Sequence, residues 1–326
     1  MDTLQSESLM VTFTNGGVIR TTFLKNRRVL HMKRSMKSGI VVVLGTMLFT
    51  TFSGSVVANA KTTKPANKAI YGTYIPLKGA SNVQDLGGIK TTNGSVVKAH
   101  RIIRSNKMIG YTKHDVKVMT KAYKLKTVVD FRTNSEIKST PDVKIAGVKY
   151  IKDGVVKDSN FGGNTQADFA KQLAVMSPKH MPEFYQGLVS DKISVKGYKL
   201  FFKQLLNQKK GSTLFHCTDG KDRTGIGAML FLSAMGVSKK TIMREYLRSN
   251  HNLAKDNAIA ISAMDKVTTN KAARANFRRL KAVKKEYLNA AYKKINQKYG
   301  STNNFLKKLG VTAHKKAQLR SMYLVK

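Results

Sequence analysis

Residues 212–225 read STLFHCTDGKDRTG, and this stretch decides the fold. Its first part, residues 212–216, has the composition of a short buried strand. Cys217 ends the strand, and Thr224-Gly225 opens a segment with helical character. A strand that passes through a short loop into a helix is the unit from which α/β domains are built.

Similar signals extend over the rest of the chain. Runs rich in Val, Ile and Phe at 96–104 and 127–132 predict further strands. Helical patterns are found at 113–124, 166–176, 194–207, 223–235, 238–249, 271–299 and 313–324. We therefore predict an α/β fold with a central, mostly parallel sheet flanked by helices and a helical C-terminal part. No strong linker divides residues 72–326, which are expected to form one domain.

Residues 32–60 have the three parts of a secretory signal peptide. A positively charged start that includes Lys33 and Arg34 precedes an apolar run at residues 39–52, and Ala58-Asn59-Ala60 is a small-x-small cleavage site. The apolar run is shorter than the roughly 20 residues that a membrane-spanning helix needs. We expect cleavage after Ala60 and a protein that is secreted or associated with the cell envelope.

The segments around the signal peptide have separate interpretations. Residues 1–31 lack this pattern and are interpreted as an upstream extension. Either translation starts at Met32, or it starts at Met1 and these residues extend the charged start of the signal peptide. Residues 61–71 are polar and are expected to form a linker to the domain at 72–326.

Composition narrows the possible partners. The chain has 59 Lys and Arg against 18 Asp and Glu, and its formal charge is +41. The first 60 residues carry seven basic and two acidic residues, so cleavage leaves +36. Such a charge favours anionic substrates and electrostatic contact with an anionic cell envelope or membrane surface. No recognition motif accompanies it, so we expect no specific nucleic acid partner.

The single cysteine, Cys217, excludes an internal disulfide and a zinc site with two or more cysteines. Five residues separate it from Arg223 at the start of the following helix. Inward N–H groups and the helix dipole would bind a phosphate there and favour a thiolate. Arg223 can hold two phosphate oxygens, Gly220 permits a tight turn, and Lys221 is expected to add a positive charge over the pocket.

The loop HCTDGKDRTG at 216–225 resembles the signature of cysteine-dependent phosphatases, and in particular a bacterial tyrosine-phosphatase-like family with HCxxGKDRTG. Further segments are similar to that family at 82–94, 100–108, 128–136, 245–250 and 304–312, although Gln84 stands where arginine is usual. The resemblance covers roughly residues 72–324. It implies a cysteine-phosphatase-like fold and the hydrolysis of phosphoric monoesters without a metal or cofactor.

The resemblance also implies roles for individual residues. Cys217 would attack phosphorus, Arg223 and the loop would hold the phosphate oxygens, and water would then hydrolyse a phosphocysteine intermediate. His216 would order the loop from behind. The residues expected to bind substrate are Thr218, Asp219, Gly220, Lys221 and Thr224, the last of which could also donate to the departing thiolate.

The acid that protonates the leaving oxygen stays open. The chain has no Trp, so the Trp-Pro-Asp loop of the best-known tyrosine phosphatases is missing. Asp222, inside the loop, and Asp130, at the end of a strand, are the two candidates. Asp130 could instead form an ion pair with Arg132 or Arg223. Two other acidic residues are expected to be structural: Glu136 to brace an arginine and Asp85 to fix the turn at 86–88.

Substrate preference has competing indications. Lys221 resembles the lysine of loops that act on phosphoinositides, whereas the carboxylate of Asp219 would repel polyanions. We expect hydrolysis of phosphotyrosine and of phosphoserine, phosphothreonine or phosphoinositide monoesters. Residues 153–190 could form a lid or an ordinary surface excursion. The alternatives to a phosphatase are a non-catalytic surface protein that binds phosphoryl groups and a rhodanese-type sulfurtransferase.

Overall fold

The structure is a computed structural model, and it describes residues 72–158 and 165–326. The predicted upstream extension, signal peptide and linker all lie outside these residues. No helix in the described ranges combines the length and apolar character needed to cross a membrane.

A six-stranded sheet forms the centre of the domain, in the order β1-β2-β4-β7-β5-β6. Strands β4, β7, β5 and β6 are parallel, and β2 and β1 add an antiparallel edge, as the sequence predicts for a mostly parallel sheet. The strands of this sheet are β1 (Thr73–Tyr74), β2 (Gln84–Asp85), β4 (Ile102–Ser105), β5 (Leu125–Asp130), β6 (Lys149–Lys152) and β7 (Ser212–His216). Strands β3 (Val96–Val97) and β8 (Leu324–Val325) pair separately.

Both faces of the sheet are buried. Neighbouring residues in a strand point to opposite faces, so Leu214 joins one apolar cluster while Phe215 joins the other, and Val128 and Val129 divide in the same way. Strands covered on both sides read as continuous apolar runs, which is the pattern that identified β5 and β7 in the sequence.

Twelve α-helices are described, and most of them cover the face of the sheet that carries Phe215. They are α1 (Lys113–Lys117), α2 (Asn134–Ser139), α3 (Gln166–Ala174), α4 (His180–Ser190), α5 (Lys192–Asn207), α6 (Arg223–Met235), α7 (Lys239–Asn252), α8 (Ala254–Val267), α9 (Lys271–Lys281), α10 (Lys285–Tyr299), α11 (Thr302–Lys308) and α12 (Ala313–Tyr323). Helix α1 continues into a π-helical turn at Val118–Ala122.

Helix α6 passes from the Cys217 loop into the core. All its residues except Ser233 are buried, so its apolar surface extends around the whole circumference. Gly236 ends the helix at φ 87°, a left-handed conformation that glycine adopts without strain. The start of this helix is therefore held at a fixed position against the sheet.

The predicted helical stretch at 271–299 is two helices. The chain leaves helical geometry at Ala282, and Val283 is buried between α9 and α10. The backbone N–H and carbonyl of Val283 bond to the side chain of Asn250 in α7, each at 2.8 Å. The side chain of Asn250 therefore replaces both backbone hydrogen bonds that Val283 would make in an unbroken helix.

The segment at 153–190, expected to be a lid or a surface excursion, contains α3 and α4. Residues 159–164 within it are outside the description. Helix α3 packs on α9, and α4 packs closely on α10.

A buried ion pair joins the sheet to helix α7. The Nη1 of Arg104 in β4 lies 2.7 and 2.9 Å from the two carboxylate oxygens of Glu245, and both residues are buried. The Nη2 of the same arginine reaches the carbonyl of Gly220. One guanidinium therefore ties a strand, a helix and the Cys217 loop together.

We predict that Arg104→Met destabilises the domain by about 3–5 kcal/mol, because it leaves the Glu245 carboxylate buried without its partner. Urea unfolding measures this change. The double variant Arg104→Met, Glu245→Leu should recover part of the loss because the unpaired charge is then gone. Equal loss in the single and double variants would contradict this account of the pair.

Candidate active site

The carboxyl ends of three parallel strands place the site. Asp130 in β5 lies opposite both His216 in β7 and Lys152 in β6. Strand β5 lies between β7 and β6. Cys217 directly follows β7 and Asp153 directly follows β6, so both residues leave the sheet at the same edge. They are separated by two strand spacings, or about 10 Å. Ligand sites of parallel sheets form at this edge.

The backbone of the Cys217 loop is held by donors outside it. Three successive carbonyls, those of Thr218, Asp219 and Gly220, each accept a hydrogen bond. The donors are, in the same order, the backbone N–H of Lys107 (3.0 Å), the Nδ2 of Asn82 (3.0 Å) and the Nη2 of Arg104 (2.6 Å). In a trans peptide the N–H points opposite to the carbonyl, so the N–H groups that follow these carbonyls face the centre of the loop. Such a ring binds an oxyanion.

Gly220 is required for this loop. Its φ of 68° is strained for other residues, and an added Cβ would lie 2.3 Å from the carbonyl oxygen of Ser105. The loop thus packs directly on the end of β4.

Arg223 is fixed by a carboxylate. Its two terminal nitrogens lie 2.6 and 2.8 Å from the oxygens of Glu136 in α2, and one of them lies 3.1 Å from the hydroxyl of Thr218. Burial opposes ionisation of Glu136, but the guanidinium outweighs it and lowers the pKa of this carboxyl to about 2. A guanidinium has five N–H donors, so donors remain for a bound phosphate. Glu136 takes the bracing position that the sequence suggests.

His216 lies in a buried charged network behind Cys217. Its Nε2 is 3.1 Å from Asp142 and 3.7 Å from Asp130, and its Nδ1 is 3.1 Å from the carbonyl of Cys217. Burial lowers the pKa of His216, but the two carboxylates outweigh burial and raise it. The contact between Nδ1 and the Cys217 carbonyl ties the imidazole to the backbone at the start of the loop.

Arg132 completes this network. Its guanidinium bonds to Asp130 and, at 2.7 Å, to Asp142. Asp130, Asp142 and His216 offer three ligand atoms within 4.8 Å of one another, which resembles a metal site. Because the guanidinium already bridges both carboxylates, these residues fit an ion-pair network better than a cation site. Asp130 thus forms an ion pair with Arg132, one of the alternatives to a role as the general acid that the sequence offered.

The side chains of Lys221 and Asp222 are bonded to groups outside the phosphate pocket that the sequence predicts. The ammonium of Lys221 is fully buried and bonds to the carbonyl of Leu280 in α9 and to Asp222, both at 2.7 Å. It does not lie over the pocket, which corrects our expectation, because the end of α9 provides a free carbonyl below the loop. The other oxygen of Asp222 accepts from Tyr185 at 2.6 Å.

Asp153, which the sequence analysis did not single out, differs from both candidate acids. It is buried, and its Oδ2 has no hydrogen-bond partner within the described ranges. Burial alone raises its pKa to about 8. Two residues further along the chain, the backbone N–H of Val155 donates to the carbonyl of Phe131. The Nη1 of Arg223 lies 3.5 Å from the same carbonyl oxygen. Asp153 is therefore a buried carboxyl with a raised pKa, at the edge of the sheet from which Cys217 also emerges.

The remaining candidates occupy three different settings. Asp219 forms an ion pair with Lys281 at 3.0 Å. Thr224 is fully buried, and its hydroxyl has no partner in the part of the chain that is described. Asp85 lies in the turn at 86–88, where it accepts from the backbone of Gly87 and of His100.

Sequence reasoning also missed the residues that support the loop. Asn82 and Arg104 fall in the segments 82–94 and 100–108, and Glu245 opens the segment 245–250, but the sequence alone assigns none of them a role. For Arg104 the available signal was a charged residue within an apolar strand, which indicates a buried partner. Which loop carbonyl each one reaches depends on the tertiary fold.

A strand, a ring of inward N–H groups, a cysteine and a braced arginine define a cysteine-dependent phosphatase. The chain belongs to the tyrosine phosphatase family, whose sequence pattern it matches over residues 75–325.

Two relatives, from Cupriavidus necator and Mycobacterium tuberculosis, agree with this assignment. A protein of Cupriavidus necator, provisionally named a tyrosine-protein phosphatase, is 31% identical over 263 residues, which are 80% of this chain and 92% of that protein. The triple specificity protein phosphatase PtpB of Mycobacterium tuberculosis is 34% identical over 122 residues, covering 34% of this chain and 43% of that one. The P. aeruginosa phosphatase TpbA, solved with phosphotyrosine, aligns over 57% of this chain and 89% of its own, with 13% identity and a TM-score of 0.26.

The Glu136 pKa predicts a pH dependence of stability. In the folded protein the pKa of Glu136 is about 2, below its ordinary value of 4.5. The carboxylate therefore stabilises the fold above pH 4.5, and that contribution is lost as pH falls towards 2. Glu136→Gln should lower the free energy of unfolding at neutral pH and flatten its decline between pH 4.5 and 2. Urea unfolding across that range tests this, with the exposed Glu286→Gln as the control. An unchanged decline in Glu136→Gln would refute the assignment.

Proposed function

We propose that this protein is an exported phosphatase that hydrolyses phosphotyrosine and phosphoinositide monoesters through a phosphocysteine intermediate. One observation carries the proposal: three outward-anchored carbonyls and the braced Arg223 form an oxyanion ring directly after Cys217. A group placed in that ring lies against the thiol.

The reaction has two steps. The Cys217 thiolate attacks phosphorus, a sulfur–phosphorus bond forms, and the bond from phosphorus to the leaving oxygen breaks. The loop N–H groups and Arg223 stabilise the charge on the three equatorial oxygens. Water then attacks phosphorus and the thiolate departs, assisted by the hydroxyl of Thr224. The imidazole of His216 supports the backbone of Cys217 from behind.

We propose that Asp153 is the general acid that protonates the leaving oxygen. Both carboxyl oxygens of Asp222 accept hydrogen bonds from Tyr185 and Lys221, and both oxygens of Asp130 accept from Arg132. Burial raises the pKa of Asp153 to about 8, which favours its protonated form at neutral pH, and Asp153 leaves the sheet at the same edge as Cys217. In the second step its carboxylate would take a proton from the attacking water.

Two features support the finer parts of the proposal. The signal-peptide pattern at 32–60 supports export and a location at the cell surface or beyond. The formal charge of +36 after cleavage supports contact with an anionic envelope or membrane, where phosphoinositide-type headgroups are presented. The names of the relatives support phosphotyrosine together with wider specificity.

The reduced wild-type protein should hydrolyse p-nitrophenyl phosphate in the presence of a chelator, and vanadate should inhibit it. Cys217→Ser should lower kcat by several orders of magnitude because the nucleophile is lost. Arg223→Lys should lower kcat by about 10²–10³-fold, because an ammonium cannot hold two oxygens.

Circular dichroism would establish that each of these variants is folded. The proposal fails if the folded, reduced wild type releases no phosphate from aryl phosphates, phosphotyrosine peptides or phosphoinositides. Binding of vanadate without any turnover would favour the non-catalytic phosphoryl-binding protein.

Asp153→Asn should lower kcat by about 10²–10⁴-fold for phenyl phosphate, whose leaving oxygen needs a proton, and much less for p-nitrophenyl phosphate. In the wild type, kcat for phenyl phosphate should fall as pH rises through about 8, and this decline should be absent in the variant. Asp222→Asn and Asp130→Asn are the matched comparisons. A larger difference between the two substrates in either of these would reassign the acid.

A further inference from the structure

The charges at the rim of the loop differ from those that the sequence suggests. Asp219, which would repel a polyanion, is paired with Lys281 at the end of α9, and both side chains are about one-fifth exposed. Burial raises the pKa of Asp219, but Lys281 and Lys221 outweigh it and lower the pKa to about 2. The carboxylate is therefore neutralised locally instead of standing alone.

A second cation lies beside this pair. Lys107 bonds through its backbone N–H to the carbonyl of Thr218, so its side chain begins against the loop itself. The charged groups that act on its ammonium are Asp219, Arg132, Lys281 and Glu136. Burial lowers the pKa of Lys107, and its ammonium has no ion-pair or hydrogen-bond partner within residues 72–158 and 165–326.

Lys107, Lys281 and Asp219 together carry one excess positive charge at the rim of the loop. Two lysines flank a single carboxylate, so one positive charge is uncompensated next to the oxyanion ring. A partly buried ammonium without a hydrogen-bond acceptor loses hydration, and only attraction to the carboxylates of Asp219 and Glu136 offsets this loss. An anion that arrived with the substrate would supply the missing acceptor.

We propose that Lys107 and Lys281 form a second anion subsite, which binds an additional phosphate of a polyphosphorylated inositol headgroup while the scissile phosphate occupies the Cys217 loop. This inference rests on the proposed phosphatase function and names a substrate class for the same site. The cation that selects a polyanion is then Lys107, and not the buried Lys221.

The position of Lys107 favours a compact substrate. Because its backbone contacts Thr218, its ammonium reaches only about one lysine side chain from the loop. Two phosphates on one ring lie within that distance, and both are rigidly oriented towards the protein. Acidic side chains of a peptide are separated from a phosphotyrosine by flexible bonds, so they lose more conformational freedom on binding.

The test compares soluble inositol phospholipid headgroups that carry one and two phosphates. In the wild type, kcat/KM should be higher for the bisphosphate than for the monophosphate, and added salt should reduce the ratio. Lys107→Met should lower this ratio about three- to tenfold, mainly through KM, because one partly exposed ionic contact is lost. Lys107→Arg should retain most of the ratio, since the charge remains.

The matched control is Lys126→Met. Lys126 is an exposed lysine near the start of β5, at the opposite edge of the sheet, and its loss changes the net charge equally. An unchanged ratio in Lys107→Met, or an equal fall in Lys126→Met, overturns the subsite. A fall confined to acidic phosphotyrosine peptides also overturns it, because the subsite then serves peptides. Absence of turnover on every substrate, p-nitrophenyl phosphate included, refutes the phosphatase proposal instead.

Discussion

The outward anchoring of three loop carbonyls is the constraint on which the site depends. An isolated loop of this length could turn its peptide groups in many directions, and each fixed residue costs about 1–2 kcal/mol of backbone entropy. Here Asn82, Arg104 and the backbone of Lys107 hold the carbonyls of residues 218–220 before any ligand arrives. Preorganised N–H groups need no rearrangement when charge develops, which is the main source of electrostatic catalysis.

The charged groups below the loop are arranged in two separate layers. One contains His216, Asp130, Asp142 and Arg132, and it holds the imidazole of His216 behind Cys217. The other contains Asp222 with Lys221 and Tyr185, and Tyr246 donates in turn to Tyr185 at 2.7 Å. Neither layer leaves its carboxylates free to reach a ligand, so the buried charges stabilise the geometry of the loop.

Part of this architecture could be predicted from sequence. The strands β5 and β7, the helix after Cys217 and the parallel sheet follow from apolar runs and their alternation with helical segments. The role of Lys221 could not be predicted, because its direction depends on where α9 ends. Asp153 was missed because an aspartate after a strand is common, and only tertiary burial separates a proton-holding carboxyl from a surface residue. The split between α9 and α10 depends on Asn250, which is distant in sequence.

The break between α9 and α10 creates the contacts between the C-terminal helices and the Cys217 loop. In an unbroken helix the carbonyl of Leu280 would accept the N–H of residue 284. Because helical geometry ends at Ala282, this oxygen has no partner within the helix and accepts a hydrogen bond from the ammonium of Lys221. Lys281, at the same end of α9, forms an ion pair with Asp219. A helix terminus thus supplies two tethers to the phosphate loop. Mechanical strain or proteolytic loosening in the C-terminal third of the protein would be transmitted to chemistry that takes place on the other side of the loop.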